Sequence, residues 1–316
     1  MQANRRCHPT ALRSSVGSQQ RSSPPQSEII DLSAKESICA GNAQMQALSK
    51  RRTMDAKTAH IGFIGFGNMA QAMAKGLVEH ANVAGDRITA CAAHYDKLQT
   101  SCAALGATPV HTAAEVAEAS DLVIVAVKPH MVADVLAPAR EALAGKAVVS
   151  VAAGLLFDFY DELLGQESHH LSTIPNTPIA VGCGVIACEQ KHSMTCDEWD
   201  TFTQLFSPIA LIEPVAGNLL STASAVAGCG PAFAAMFLES LADGAVKNGL
   251  PRATAYRLAA QMMAGTAQLH LAEGTHPGAM KDAVCSPGGT TIKGVAALEA
   301  AGLRNAVISA VDATLQ

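Results

Sequence analysis

The chain has 316 residues, of which 49% are hydrophobic and 16% charged, and its formal net charge is −5. That length has room for two cored domains, and the apolar content excludes a wholly disordered chain. The negative balance argues against a nucleic-acid or anionic-membrane surface as partner.

Charge is uneven. Eight Lys/Arg against three Asp/Glu make residues 1–53 +5, so the remainder carries −10. Residues 1–56 read as an extension rather than part of a fold, rich in Ser, Gln, Arg and Pro, as in Ser14–Pro25. An Arg/Ser-rich, acid-poor leader resembles a transit peptide, and a disordered tail is a second reading. A third takes Met54 as the natural start and the leader as non-native. Met54 is favoured, because a strand pattern begins almost at once after it, and the expected compartment is the cytoplasm. The nine cysteines are scattered with no CxxC pair. Their odd count points to a reducing compartment with mostly buried thiols, and no metal site is expected. No uninterrupted run of about 18 apolar residues occurs, so no membrane-crossing helix is expected.

Residues 57–213 alternate strand and helix signals, which predicts a parallel, doubly wound sheet. His60–Ile64 reads as a strand. It runs into Gly65-Phe66-Gly67-Asn68-Met69-Ala70 and a helix to about Glu79. This is the G-x-G-x-x-A dinucleotide pattern, with the strand before it and the helix after it. Gly65 makes the tight turn, Gly67 lets a pyrophosphate approach the backbone, and Ala70 lets the helix pack close. A second strand, Arg87–Ala92, leads to Ala93-His94-Tyr95-Asp96-Lys97. Ala92 and Ala93 stand where an NAD site carries its acid, whereas His94 and Lys97 suit a 2′-phosphate. The expected cofactor is therefore NADPH, with NADH possible, because a shifted boundary would make Asp96 the ribose-binding acid. Thr112–Ala119 reads as a helix. The apolar run Asp121–Val127 then ends at Lys128-Pro129, where a cofactor loop belongs. A helix over Met131–Ala142 and a strand over Lys146–Val151 follow. Pro175-Asn176-Thr177-Pro178 reads as a rigid turn. Gly184–Cys188 and Ile209–Glu213 read as strands and Cys196–Phe206 as a helix.

From Pro214 to the end, residues 214–316, strand signals vanish. Helices are expected over Asn218–Ala227, Ala232–Asn248, Arg252–Glu273, Ile292–Ala301 and Leu303–Leu315, with Gly228-Cys229-Gly230-Pro231 between the first two. Such an apolar helical half is thin for a monomer, which predicts a dimer core. Between two helices lies Ser286-Pro287-Gly288-Gly289-Thr290-Thr291. Thr290 or Thr291 would cap the helix beginning at Ile292, and the N–H groups of Gly288, Gly289 and Thr290 would hold a small carboxylate.

Together the Gly65–Ala70 fingerprint, Pro175–Pro178, Ala225–Phe233, His276-Pro277 with Lys281-Asp282, and Ser286–Ile292 resemble the pyrroline-5-carboxylate reductase family over residues 60–316. The resemblance implies an α/β Rossmann-like N-terminal domain followed by an all-α C-terminal dimerisation domain. It implies NAD(P)H-dependent reduction of a cyclic imine, Δ1-pyrroline-5-carboxylate, to L-proline. Homodimers that assemble further into decamers are implied as well. Ser286, Gly288, Gly289, Thr290 and Thr291 are implied to bind the substrate, with Thr291 at the imine nitrogen. Gly65 to Ala70, His94, Ala126, Val127, Lys128, Pro129, Asn176 and Thr177 are the expected cofactor residues. Two other readings stand beside this one. One is a hydroxyacid dehydrogenase, for which Lys247 and Lys281 would be the proton-shuttling candidates. The other is an NADP-sensing protein without catalysis.

Overall fold

The computed structural model describes residues 54–165 and 167–316, and the expectations for residues 1–53 lie outside them. One sheet of eight strands has the order β3-β2-β1-β4-β5-β6-β7-β8. Strands β1 (Ile61–Ile64), β2 (Ile88–Cys91), β3 (Thr108–Pro109), β4 (Leu122–Val125), β5 (Ala147–Ser150) and β6 (His169–Pro175) are parallel. Strand β7 (Gly184–Glu189) runs antiparallel to β6, and β8 (Ala210–Val215) runs parallel to β7.

The expectation of a parallel sheet throughout is therefore corrected at β7. The link from Pro175 to Gly184 holds only a 3-10 turn, Thr177–Val181. A parallel crossover needs a dozen or more residues, so the chain can only double back.

Helices α1 (Asn68–His80), α2 (Tyr95–Leu105), α3 (Ala113–Glu118), α4 (Val132–Leu136), α5 (Arg140–Leu143) and α6 (Phe157–Leu164) connect the parallel strands, and α7 (Cys196–Phe206) connects β7 to β8. The single helix expected over Met131–Ala142 is broken into short turns around Pro138, which lacks the N–H a continuing helix needs. The core lies where apolar strands meet helices. Ile64, Val123, Val125 and Val148 pack with Val116, Val132, Leu136, Leu143 and Tyr160 in one buried cluster. Each such side chain contributes about 1.5–3 kcal/mol on burial.

Strand β6 had no strand pattern in the sequence, because four of its seven residues are polar. All seven are buried. Each polar one needs a partner, and three find one. His169 Nδ1 lies 2.7 Å from Glu198 Oε1, His170 Nε2 lies 3.2 Å from the Phe157 carbonyl, and the Thr173 hydroxyl donates to the Ser150 carbonyl at 2.8 Å.

Residues Met54–Ala56, assigned to the extension, are in fact tied to the sheet half. The Thr201 hydroxyl donates to the Met54 carbonyl at 3.0 Å, and Arg87 Nη2 donates to the Ala56 carbonyl at 2.7 Å.

Beyond β8 the chain is helical: α8 (Leu220–Ala227), α9 (Gly230–Lys247), α10 (Arg252–Glu273), α11 (Pro277–Ala283), α12 (Thr290–Ala300) and α13 (Leu303–Ala313). Helix α9 packs on α10. Among the described residues beyond Ala225, the buried apolar ones are only Ala242, Ala255 and Ala259. Met236, Leu258, Leu271, Val284 and Ile308 are exposed instead. The helical stretch Gly217–Lys247 is long and apolar enough, by length and composition alone, to cross a membrane. The sequence reading looked for an uninterrupted apolar run, and this stretch is not one. Scattered Ser, Gly and Glu interrupt the apolar run there without making the stretch polar on average.

Candidate active site

The glycine turn after β1 is built as the fingerprint requires. Gly65 has φ +91, a conformation that side chains avoid, and a Cβ there would lie 2.7 Å from the Ala126 carbonyl oxygen and 2.8 Å from Val127 Cγ1. The turn thus presses against the Ala126-Val127 loop that leaves β4. Gly67 is the N-cap of α1 and has no protein atom within 4 Å of a built Cβ. Helix α1 has no side-chain cap and no acid in its first turn, so its leading N–H groups and its positive end face that open space. Ala70 is fully buried. Gln71, which the sequence did not flag, donates from Nε2 to the Phe66 carbonyl at 2.8 Å and holds the turn from behind. Burial pushes the Cys91 thiol up, against the Gly65 amide, so it sits neutral beneath the turn.

The other predicted cofactor residues fall on the same edge of the sheet. Strand order reverses between β1 and β4, and ligands of such sheets bind over the carboxyl ends at that point. Ala126 and Val127 follow β4 and are half-buried, while Lys128 is exposed and caps the 3-10 turn that begins at Pro129. Strand β2 ends at Cys91, so Ala92 and Ala93 directly follow it, while Asp96 lies inside the first turn of α2. His94 is the exposed N-cap of α2, with no side-chain capping bond. Tyr95 stacks on His111 at 4.0 Å between ring centroids, a flat aromatic pair beside His94 that the sequence reading missed. Thr177 is exposed just past β6, whereas Asn176 is buried and its amide is committed within the protein. At the end of β5, Ser150 Oγ hydrogen-bonds the Tyr160 hydroxyl and accepts the Ala152 N–H at 3.1 Å, which fixes the departure of the Val151–Gly154 loop. Burial pushes the Tyr160 phenol up to about 12, so it stays neutral.

Ser286–Gly289 is a tight turn: the Gly289 N–H donates to the Ser286 carbonyl at 3.0 Å. Pro287 and Gly288, with φ +70, hold the two central places, as a type II turn demands. Two expectations change here. Helix α12 begins at Thr290, with Gly289 as its N-cap, so neither Thr290 nor Thr291 caps by its side chain. The Gly289 N–H is consumed in the turn. The donors left open are the leading helical N–H groups at Thr290, Thr291 and Ile292, in a first turn without any acid. Ser286, Thr290 and Thr291 are exposed. Lys281, a candidate proton shuttle, pairs with Asp282 at 2.6 Å on the surface.

Comparison with known proteins accords with this geometry. Residues 218–316 match the family model described as pyrroline-5-carboxylate reductase dimerisation, and residues 60–154 match one described as NADP oxidoreductase, coenzyme F420-dependent. A pyrroline-5-carboxylate reductase of Treponema pallidum is 42% identical over 260 residues, covering 81% of this chain and 98% of that one. The Escherichia coli reductase is 37% identical over 257 residues, covering 81% and 96%. The crystal structure of Plasmodium falciparum pyrroline carboxylate reductase with NADP bound superposes with a TM-score of 0.73 at 27% identity, covering 82% of this chain and 96% of that one. With a nucleotide turn at one end, a helical dimerisation half at the other and relatives this close over nearly their whole length, the chain belongs to the pyrroline-5-carboxylate reductase family.

Proposed function

We propose that the protein reduces the C=N bond of Δ1-pyrroline-5-carboxylate to L-proline, the last step of proline biosynthesis, with NADPH preferred over NADH. The observation that carries this reading is a pair of glycine turns, each of which delivers an uncapped, acid-free helix N-terminus. One follows the Gly65–Gly67 turn and suits a pyrophosphate, and the other follows the Ser286–Gly289 turn and suits a carboxylate. In this reading residues 57–213 bind the nucleotide, and residues 214–316 bind the substrate and dimerise.

When bound, the nucleotide supplies a hydride to the C5 carbon of the imine. The Gly65–Ala70 turn holds the pyrophosphate. His94, with Lys97 one turn into α2, takes the 2′-phosphate, because no acid directly follows β2. Ala126, Val127, Lys128, Pro129 and Thr177 belong to the edge over which the nucleotide lies, and Asn176, whose amide is committed within the protein, supports that edge from behind. On the substrate side, the N–H groups of Thr290, Thr291 and Ile292 and the Ser286 hydroxyl hold the carboxylate, and Gly288 and Gly289 shape the turn. The Thr291 hydroxyl hydrogen-bonds the imine nitrogen. A protonated imine is already electrophilic, so the task of these residues is to hold donor and acceptor ~3–3.5 Å apart and keep water out.

The unburied apolar faces of α9 to α13 suit a homodimer, with dimers joining further into a pentamer of dimers in the cytoplasm. Neither nucleic acid nor a membrane is a partner in this reading, and the apolar stretch Gly217–Lys247 is covered by a second copy. The test is the loss of reduced-nicotinamide absorbance with pyrroline-5-carboxylate and either nucleotide. Turnover with a lower KM for NADPH is expected, and no turnover with either nucleotide would overturn the reading.

A further inference from the structure

Two motifs about fifty residues apart, the Asn-Thr-Pro turn and the Gly-Cys-Gly-Pro break, meet at one hydrogen bond. Asn176 directly follows β6 and is 6% exposed. Its Oδ1 accepts the Val185 N–H at 2.8 Å, and its own N–H donates to the Val185 carbonyl at 3.1 Å. These bonds belong to the sheet half. Its Nδ2 reaches out of that half and donates to the Ala227 carbonyl at 3.0 Å.

Ala227 is the last residue of α8. In a continuous helix its carbonyl would accept the N–H four residues on. That residue is Pro231, which has no N–H. Neighbouring donors are committed elsewhere: the Gly228 and Cys229 N–H groups both turn back to the Ser224 carbonyl, at 2.8 and 3.0 Å, and the Ala232 N–H goes to Cys229. A proline in a helix is usually read as a kink. Here it also leaves one carbonyl open on the side that faces the sheet, and a half-buried carbonyl left unmade costs on the order of 1–3 kcal/mol. Apolar contact at this junction is thin. Ile174, Ala187 and Leu220 form a small buried cluster there, flanked by Leu156, Val215 and Ala223. A junction this slight does not fix the relation of two halves unaided.

We propose that Asn176 is a latch that sets the helical half on the carboxyl edge of the sheet, and that Pro231 keeps the Ala227 carbonyl open for it. The latch fixes the pitch at which α8 and α9 leave the sheet, and with it the aim of the helical half toward the bound nucleotide. This rests on the reductase reading above. Asn176 is a positioning residue in it, acting through the junction rather than by contact with nucleotide or imine.

Four variants test this in the full-length protein: Asn176→Asp, Asn176→Ala, Pro231→Ala and the last two combined. The aspartate keeps the acceptor for the Val185 N–H but sets an oxygen against the Ala227 carbonyl. The alanine at 231 restores an N–H that satisfies Ala227 within the helix. NADPH affinity is read by fluorescence titration and hydride transfer by single-turnover kinetics with pyrroline-5-carboxylate. Hydride transfer is expected to fall about 10-fold or more in Asn176→Asp and in Pro231→Ala. The NADPH Kd should stay within about 2-fold of the parent in both, because the pyrophosphate turn is untouched. The double variant Asn176→Ala with Pro231→Ala should be no slower than the worse single, since both remove one bond. Hydrogen–deuterium exchange over residues 219–235 should rise in Asn176→Asp without any substrate present. That readout separates failure of the latch from failure of the reductase reading, which the parent's own turnover decides. A tenfold loss of NADPH affinity in Asn176→Asp, unchanged hydride transfer in Pro231→Ala, multiplying effects in the double variant, or unchanged exchange would each overturn the latch. Should the Asn176 variants fail to fold, Pro231→Ala alone decides it.

Discussion

Two glycines two residues apart are constrained in opposite ways, and that separates fold from binding. Gly65 is held at φ +91 against the Ala126 carbonyl. Gly65→Ala should cost about 1–3 kcal/mol, read as a lower urea midpoint. Gly67 has φ −79 and nothing near its missing Cβ. Gly67→Ala should leave stability within about 0.5 kcal/mol, yet raise the NADPH Kd about 10-fold or more as the methyl takes the phosphate's space. Thr291→Ala should lower kcat/KM by about 10-fold, equivalent to about 1.4 kcal/mol, if the hydroxyl serves the transition state. An unchanged value removes Thr291 from the chemistry. Acid sensitivity arises elsewhere. His192 stacks flat on Trp199 at 5.0 Å with its Nδ1 buried and unpaired. Burial pushes it down to about 4, helped by His170 and opposed by Glu198. Its folded pKa thus lies below the unfolded value of about 6.5, and the unfolded chain takes up the proton first. Stability from this group is full above about pH 6.5 and is lost as pH falls toward 4, on the order of 2 kcal/mol. Thermal midpoints across that range should fall for the parent and fall less for His192→Phe, which keeps a ring on Trp199.

At the scale of the element, α7 is fastened by one carboxylate. Glu198 Oε2 accepts the Thr195 N–H at 2.7 Å to complete a capping box, and Oε1 meets His169 on β6. Burial pushes the Glu198 carboxyl up, but the His169 bond and charge and the Thr195 donors hold it below the usual range. Glu198→Ala strands both the cap and a buried imidazole and should cost about 2–4 kcal/mol in denaturant unfolding. Nothing in the sequence pattern announced this bond, and the same holds for β6 as a whole. Hydrophobic period is the signal for a strand, and His169, His170, Ser172 and Thr173 erase it. Burial of His169, His170 and Thr173 is tolerable because α7, α6 and β5 supply partners, which are tertiary facts. By contrast β1, β4 and β5 are buried on both faces and read as apolar runs, so they were legible. The Gly65–Ala70 turn was legible because its geometry admits few residues. The Ser286–Thr291 turn was legible as a turn. Its N-cap and its open donors were not, because Gly289 and Thr290 differ as caps only through backbone angles that the sequence does not state.

At the scale of the molecule, the last two helices bury no residue in the single chain, and Met236 and Ile308 are 67% and 60% exposed. Met236→Asp together with Ile308→Asp should shift sedimentation toward monomer and make the thermal midpoint fall on dilution, as linked folding and assembly require. Removing residues 1–53 should leave turnover and thermal midpoint unchanged, since the bonds from Met54 onward remain.

Both outermost strands of the sheet carry a proline, Pro109 in β3 and Pro214 in β8. The Val110 N–H donates inward to Ala90 and the Val215 carbonyl accepts inward from Gln190, so by alternation along a strand each proline turns its missing N–H outward. A strand arriving at either margin would meet a gap in the donor row at that place. The sheet thus resists growth from both sides, and among the described residues the exposed apolar side chains gather mainly on the C-terminal helices. That is a division of labour between a half built to stay solitary and a half built to be shared.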